Sequence, residues 1–134
     1  IVGLFLYGCS SYLVKNSEKS KEKPVIISND SLEYEVIIID VGFTLYLNTI
    51  AKPKKYYSLS YLENRNNIYV TNWNIRALNP SKFNSTIYEN RIDYSPQIRY
   101  GLEVNYKLFN YFQFAQQKYK IRLDGGSGLS PNFR

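Results

Sequence analysis

The sequence predicts one small α+β domain, mainly helical, with its elements in the order strand, helix, helix, strand, long helix and with a small sheet. Three observations carry that expectation. Glu33-Tyr34-Glu35-Val36-Ile37-Ile38-Ile39-Asp40 is a continuous β-branched run, the composition of a central strand covered on both faces. Apolar residues recur at helical spacing in two stretches, Phe43 to Ala51 and Leu62 to Ala77. A third stretch, Tyr100 to Arg122, keeps one apolar face for longer than either. With 134 residues there is room for one small domain and a tether, and 14 tyrosines and 7 phenylalanines supply a core whose side chains combine a dry ring with a polar tip.

Taken from the start, Ile1-Val2-Gly3-Leu4-Phe5-Leu6-Tyr7-Gly8 is an uncharged apolar run, too short for a bilayer span and suited to the hydrophobic region of an export signal. Cys9, the single cysteine, follows it. Leu6-Tyr7-Gly8-Cys9 resembles the bacterial lipobox, in which the thiol is alkylated with diacylglycerol and the chain is cut between Gly8 and Cys9. The glycine lets a peptidase approach the backbone, and the sulfur is the nucleophile that takes the lipid. Lacking an initiator methionine and a basic start, residues 1–8 read as a lipoprotein signal peptide truncated at its own beginning. Ser10-Ser11, with no aspartate after Cys9, favours the outer membrane, and the lack of an acidic cluster there favours a domain facing the periplasm. Residues 9–31 read as the lipidated N-terminus and a flexible tether, rich in lysine, with a short strand at Val25-Ile26-Ile27 compatible with its composition.

Residues 32–123 are the predicted globular domain. Asp40 is placed to cap the first helix, whose inner face is Phe43, Leu47, Ile50 and Ala51 and which Pro53 ends. A basic loop, Lys54-Lys55-Tyr56-Tyr57, leads to Ser60-Tyr61-Leu62-Glu63, a match to the capping box in which serine and glutamate side chains satisfy free amides of a helix start. Leu62, Tyr69, Val70, Trp73 and Ala77 make the inner stripe of that second helix, and Asn79-Pro80 stops it. Tyr88, Asn90, Ile92 and Tyr94 alternate with Glu89, Arg91 and Asp93, the period of a half-exposed strand that would pair with the first. The last helix presents Val104, Leu108, Tyr111, Phe112, Ala115 and Tyr119 on one face, with Leu102 and Phe109 beside it. Asp124-Gly125-Gly126-Ser127-Gly128 ends it, leaving residues 124–134 as a flexible tail.

Tyr61-Leu62-Glu63, the run Val70-Thr71-Asn72-Trp73-Asn74 with Arg76, the Asn79-Pro80 stop, and Tyr100-Gly101 through Glu103-Val104-Asn105-Tyr106 resemble a family of small uncharacterised lipoproteins of Bacteroidota. The resemblance covers roughly Leu32 to Leu123. It implies a lipid-anchored envelope protein and brings no catalytic residues with it, because that family is itself a domain of unknown function.

Histidine is absent, which removes the usual nucleophile–histidine pairs and histidine-held metals, so neither catalytic residues nor metal ligands nor a cofactor are expected. Asp40, Glu63, Glu89, Asp93 and Glu103 are the carboxylates a general acid–base pair would draw on, and capping or polar-face positions account for them more simply. The formal charge of +6 raises a nucleic-acid partner, but much of the lysine lies in the tether, so no nucleic acid is expected. Glu63, Asn66, Trp73, Asn74, Arg76, Asn105 and Tyr106 are the candidate binding set: amides, a charge pair and aromatics on helices that face each other. They suit either a small groove for a ligand or a buried hydrogen-bond network that fixes helix register. The expected function is a non-enzymatic outer-membrane lipoprotein, membrane-bound through its anchor, that serves as an accessory or structural subunit by contact with an envelope protein. The alternative is a periplasmic binding module for cell-wall, glycan or peptide fragments.

Overall fold

The computed structural model describes residues 23–124. Val25–Asn29 (β1) and Tyr34–Ile38 (β2) form an antiparallel two-stranded sheet in which Val25 faces Ile38, Ile27 faces Val36 and Asn29 faces Tyr34. One 3-10 turn, Asp30–Leu32, joins them. There the Asn29 carboxamide accepts the Ser31 amide, and Glu33 takes the left-handed conformation at φ 54° to bring the chain back. Phe43–Thr49 (α1), a 3-10 turn at Lys54–Tyr56, Leu59–Ala77 (α2) and Leu102–Tyr119 (α3) complete the order. The chain is therefore α+β, with three α-helices and one small antiparallel sheet among the described residues, and α+β is what its sequence predicts.

The core is organised on α3, against which β1, α1 and α2 all pack. Val104, Leu108, Phe112 and Ala115 on its inner face are buried, as are Leu62, Tyr69, Val70 and Trp73 from α2. Rings meet at angles that favour edge-to-face contact: Trp73 lies 5.0 Å from Tyr88 and 5.8 Å from Tyr111, and Phe43 lies 5.2 Å from Tyr111. Thus α1 is fixed chiefly by Phe43 and Tyr46 against α3, with Leu47 partly buried beside them and Ile50 left exposed.

Four expectations change in detail. The partner of β2 is β1, not the alternating stretch at Tyr88 to Tyr94, which is irregular and outside the sheet. That stretch satisfies its backbone with side chains instead, as described below. The β-branched run is covered on one face only: Tyr34 and Ile38 are buried, whereas Ile37 and Ile39 point outward. Helix starts also move. Asp40 gives way to Gly42 (φ 97°) as the cap of α1, and Ser58 rather than Ser60 caps α2, its hydroxyl accepting the Tyr61 amide at 3.1 Å. Ser58 has the extended backbone that a cap needs, whereas Ser60 is already inside the first turn. Finally, α3 ends at Tyr119 because Lys120 turns left-handed (φ 58°), ahead of the glycine-rich tail. In addition, β1 lies inside the stretch read as tether and pairs with β2. Gly8, Cys9 and residues 1–22 as a whole, like 125–134, lie outside the described residues.

Candidate functional site

Along α2 the asparagines are a device for holding irregular backbone. Asn74 donates to the Ile92 carbonyl at 2.8 Å and accepts the Ile92 amide at 2.7 Å, so one carboxamide does for Ile92 what a neighbouring strand would have done. Trp73 Nε1 donates to the Asn90 carbonyl at 2.9 Å, and the Tyr34 hydroxyl donates to the Asp93 carbonyl at 2.6 Å. Asn72 does the same for Leu123 at 3.0 Å. A buried backbone group without a partner costs about 1–3 kcal/mol, so these side chains are what permit an unpaired segment to lie against the core.

Deeper between α2 and α3, Asn66 and Asn105 are fully buried. The Asn66 amide donates to both the carbonyl and the side-chain oxygen of Asn105 at 3.0 Å, while Asn105 Nδ2 donates to the Gly101 carbonyl and its Oδ1 accepts the Tyr94 hydroxyl at 2.7 Å. Burial, with the charge of Glu63 next, pushes the Tyr94 hydroxyl up to about 12. Glu63 pairs with Arg99 at 3.1 Å; Glu63 Oε2 and Asn66 Oδ1 have no protein partner among the described residues. Arg76, also buried, donates to the Tyr88 hydroxyl at 2.7 Å and the Arg122 carbonyl at 2.6 Å, and its guanidinium lies over the rings of Phe83 and Tyr88. Tyr106 donates to the Lys52 carbonyl at 2.6 Å. Thus the candidate set is distributed: Asn66 and Asn105 meet, Glu63 borders them, Trp73 and Asn74 clamp the segment at Asn90 to Ile92, Arg76 ties Tyr88 to the Arg122 backbone, and Tyr106 holds the Lys52 carbonyl.

What opens to solvent lies on the other side of Trp73. A cleft of about 450 Å³ runs between residues 36–41 and residues 86–92, with Trp73 and Tyr111 among its lining residues. All six consecutive residues from Val36 to Val41 line it. Side chains alternate across a strand, so where Val36, Ile37 and Ile38 line the cleft in turn its wall is the outer edge of β2, which presents main-chain N–H and C=O groups; beyond the strand, the Asp40 and Val41 carbonyls accept the Phe43 amide and Lys118. The described sheet has no strand on that side of β2.

Asp40 closes one end of this cleft. Its Oδ1 accepts Lys118 at 2.6 Å and Tyr119 at 2.9 Å, and its Oδ2 accepts Tyr111 and Tyr119 at 2.9 Å. Burial, reinforced by Asp40, raises the hydroxyl pKa of both Tyr111 and Tyr119. Burial works to lower Lys118, but the hydrogen bond and charge of Asp40 outweigh it and hold the ammonium above its usual range. Lys118 also donates to the Val41 carbonyl at 3.0 Å. Every acceptor of Asp40 is engaged, so the cluster is a brace that ties the end of β2 to α3. Sequence reading missed it, although Tyr111, Lys118 and Tyr119 share the face that carries Ala115. Among the described residues no group of three or more His, Cys, Asp or Glu could hold a metal ion, and no helix is long and apolar enough to cross a membrane.

The fold and cleft define a small α+β protein whose polar interior is spent on holding loops and whose open feature is a strand edge. The chain belongs to a family of unknown function (DUF6146), which it matches over residues 1–130. No curated protein and no solved structure matches it.

Proposed function

We propose that this chain is a non-enzymatic lipoprotein of a Bacteroidota outer membrane, anchored through Cys9 and facing the periplasm, that works as an accessory subunit by contact with an envelope protein. The observation that carries the contact reading is the part of the cleft wall at Val36 to Ile38, the outer edge of β2, beside the exposed side chains of Ile37 and Ile39. An extended partner segment laid along that edge gains main-chain hydrogen bonds, and alternate side chains of the segment reach Trp73 and Tyr111. The lipobox-like Leu6-Tyr7-Gly8-Cys9 supports the anchor.

A photoreactive residue placed at Ile39 in the lipidated protein, irradiated in its own envelope, should give one dominant adduct with another envelope protein. The same residue placed at Asn64, on the exposed face of α2, should give none. Equal labelling from both positions, with the protein recovered alone from gentle detergent, would refute the contact reading. The alternative, a module for cell-wall, glycan or peptide fragments, draws on the same cleft, whose volume falls in the range of small-ligand sites. Saturable binding of such fragments that is lost on Asn90→Ala or Arg91→Ala, with the fold intact, would favour it.

A further inference from the structure

A second exposed surface runs along α1, and three observations on it converge. Val41, Leu45 and Ile50 are 51%, 64% and 61% exposed. Leu45 and Ile50 border a shallow depression of about 240 Å³ floored by Tyr46 and Phe114 of the core, with Gln117 and Lys118 also lining it, and Val41 lies in the neighbouring crevice with Thr44. Leaving three large aliphatic side chains in water forgoes burial that other parts of the chain achieve, and such a patch marks a surface that meets something apolar.

Charge says what that something is. Between Ile39 and Ser58 the chain carries Lys52, Lys54 and Lys55 against Asp40 alone, and Asp40 is already held by Lys118. Lys54 is paired with Glu103, but Lys52 and Lys55 form no ion pair among the described residues and are exposed. Lys52 lies 5.1 Å over the ring of Tyr56, itself exposed. Exposed aliphatic side chains followed directly in the chain by exposed lysines and a tyrosine match the layered chemistry of a bilayer interface: acyl boundary, then aromatic, then anionic headgroup.

The path of the chain agrees. The Lys23 carbonyl accepts the Thr44 hydroxyl of α1 at 3.3 Å, so the segment that leads back to Cys9 departs from this same surface. Lys23, Val25, Val41 and Thr44 share one crevice there. The residues between Cys9 and Lys23 span at most about 50 Å when extended, which keeps the body within reach of any membrane that holds Cys9.

We infer that the α1 face carrying Val41, Leu45 and Ile50, bordered by Lys23, Lys52 and Lys55, is a membrane-seating surface for anionic lipid headgroups. It rests on the reading of Cys9 as a lipid anchor, and it adds to it: the acyl chains hold the protein to the membrane, and this face sets how the body lies there. A handful of aliphatic contacts and lysines binds weakly alone, as expected of the second of two membrane signals.

The test uses the full chain with Cys9→Ser, which cannot be acylated, so seating is read apart from anchoring. The probe is flotation with vesicles of phosphatidylcholine and phosphatidylglycerol in equal parts, against phosphatidylcholine alone. The expected result is binding to the anionic vesicles that falls with added salt, weakens about fivefold for each of Lys52→Gln and Lys55→Gln, and is lost on Leu45→Glu with Ile50→Glu. All four positions are exposed, and unchanged thermal midpoints confirm that the variants fold. Binding that survives these substitutions, as it would if residues 1–8 alone entered the bilayer, overturns the inference. So does equal binding to neutral vesicles. A concentration-dependent dimer abolished by Leu45→Glu, without vesicle binding, would assign the face to a second copy and overturn it too. None of these failures touches the acylation of Cys9, which the mass of the native protein reads separately.

Discussion

Asn74→Leu tests the claim that an α2 carboxamide stands in for a strand. The substitution removes the two hydrogen bonds to Ile92, at 2.8 and 2.7 Å, and leaves the Ile92 amide and carbonyl facing an aliphatic side chain. A fully buried orphan costs about 1–3 kcal/mol, and both bonds here are part-buried, which places each group near the low end, or about 2–3 kcal/mol together. Leucine recovers up to ~0.5 kcal/mol of helix propensity relative to asparagine. The net expectation is a loss of about 2 kcal/mol, seen in urea as a midpoint lower by roughly 1 M at a typical slope for a small domain. Asn64→Ala, on the exposed face of the same helix, serves as the control and should change the unfolding free energy by less than about 0.5 kcal/mol. Amide exchange adds a site-specific reading: the Ile92 amide should lose protection in Asn74→Leu while the amides of α3 keep theirs relative to the global stability. A midpoint within about 0.5 kcal/mol of the parent together with an unchanged Ile92 amide would refute the reasoning.

Asn66→Ala and Asn105→Ala should each cost about 2–4 kcal/mol, and the double variant should cost at least ~1 kcal/mol less than their sum, because each removes the partner of the other; strict additivity in urea unfolding would contradict the shared network. Stability should fall above about pH 10: folded Tyr34, Tyr94, Tyr111 and Tyr119 hold their protons more tightly than unfolded tyrosine, so their contribution is complete below the unfolded pKa and is lost as pH rises toward the folded values. Thermal midpoints across that range, with absorbance titration placing Tyr94 at about 12, check it; a flat midpoint up to pH 11 would count against it. Gly101→Ala should destabilise by about 1–3 kcal/mol, since Gly101 caps α3 at φ 93° and ψ 175°, a region that side chains avoid; an unchanged melting temperature would mean that the cap relaxes freely.

The helical part of the fold was legible because its signals are local. Leu62, Tyr69, Val70 and Trp73 recur at helical spacing, and so do Val104, Leu108, Phe112 and Ala115; all are buried where periodicity puts them. Strand pairing is not local. The alternation puts Tyr88 and Ile92 in the core and Tyr94 at its edge but leaves Asn90 exposed, and alternation says nothing about who satisfies the segment's backbone; here the partners are Trp73, Asn74 and Tyr34. Val25-Ile26-Ile27 was legible as a short β-branched strand, but its extension to Asn29 and its pairing with Tyr34 to Ile38 were not, because composition does not give register. The amide-rich set on α2 and α3 was legible as either a groove or an internal network, and burial of Asn66, Asn105 and Arg76 puts those three in the interior. Asp40 was read as a helix cap because the residues that engage it, Tyr111, Lys118 and Tyr119, are more than seventy positions away in sequence.

Both the envelope contact and the seating of α1 depend on a body tethered at its N-terminal side. The intact mass of the protein purified from its native cell tests that tether most directly. The expected product begins at Cys9 and carries acyl groups on that residue; a product that retains residues before Cys9, with an unmodified thiol, would contradict the account.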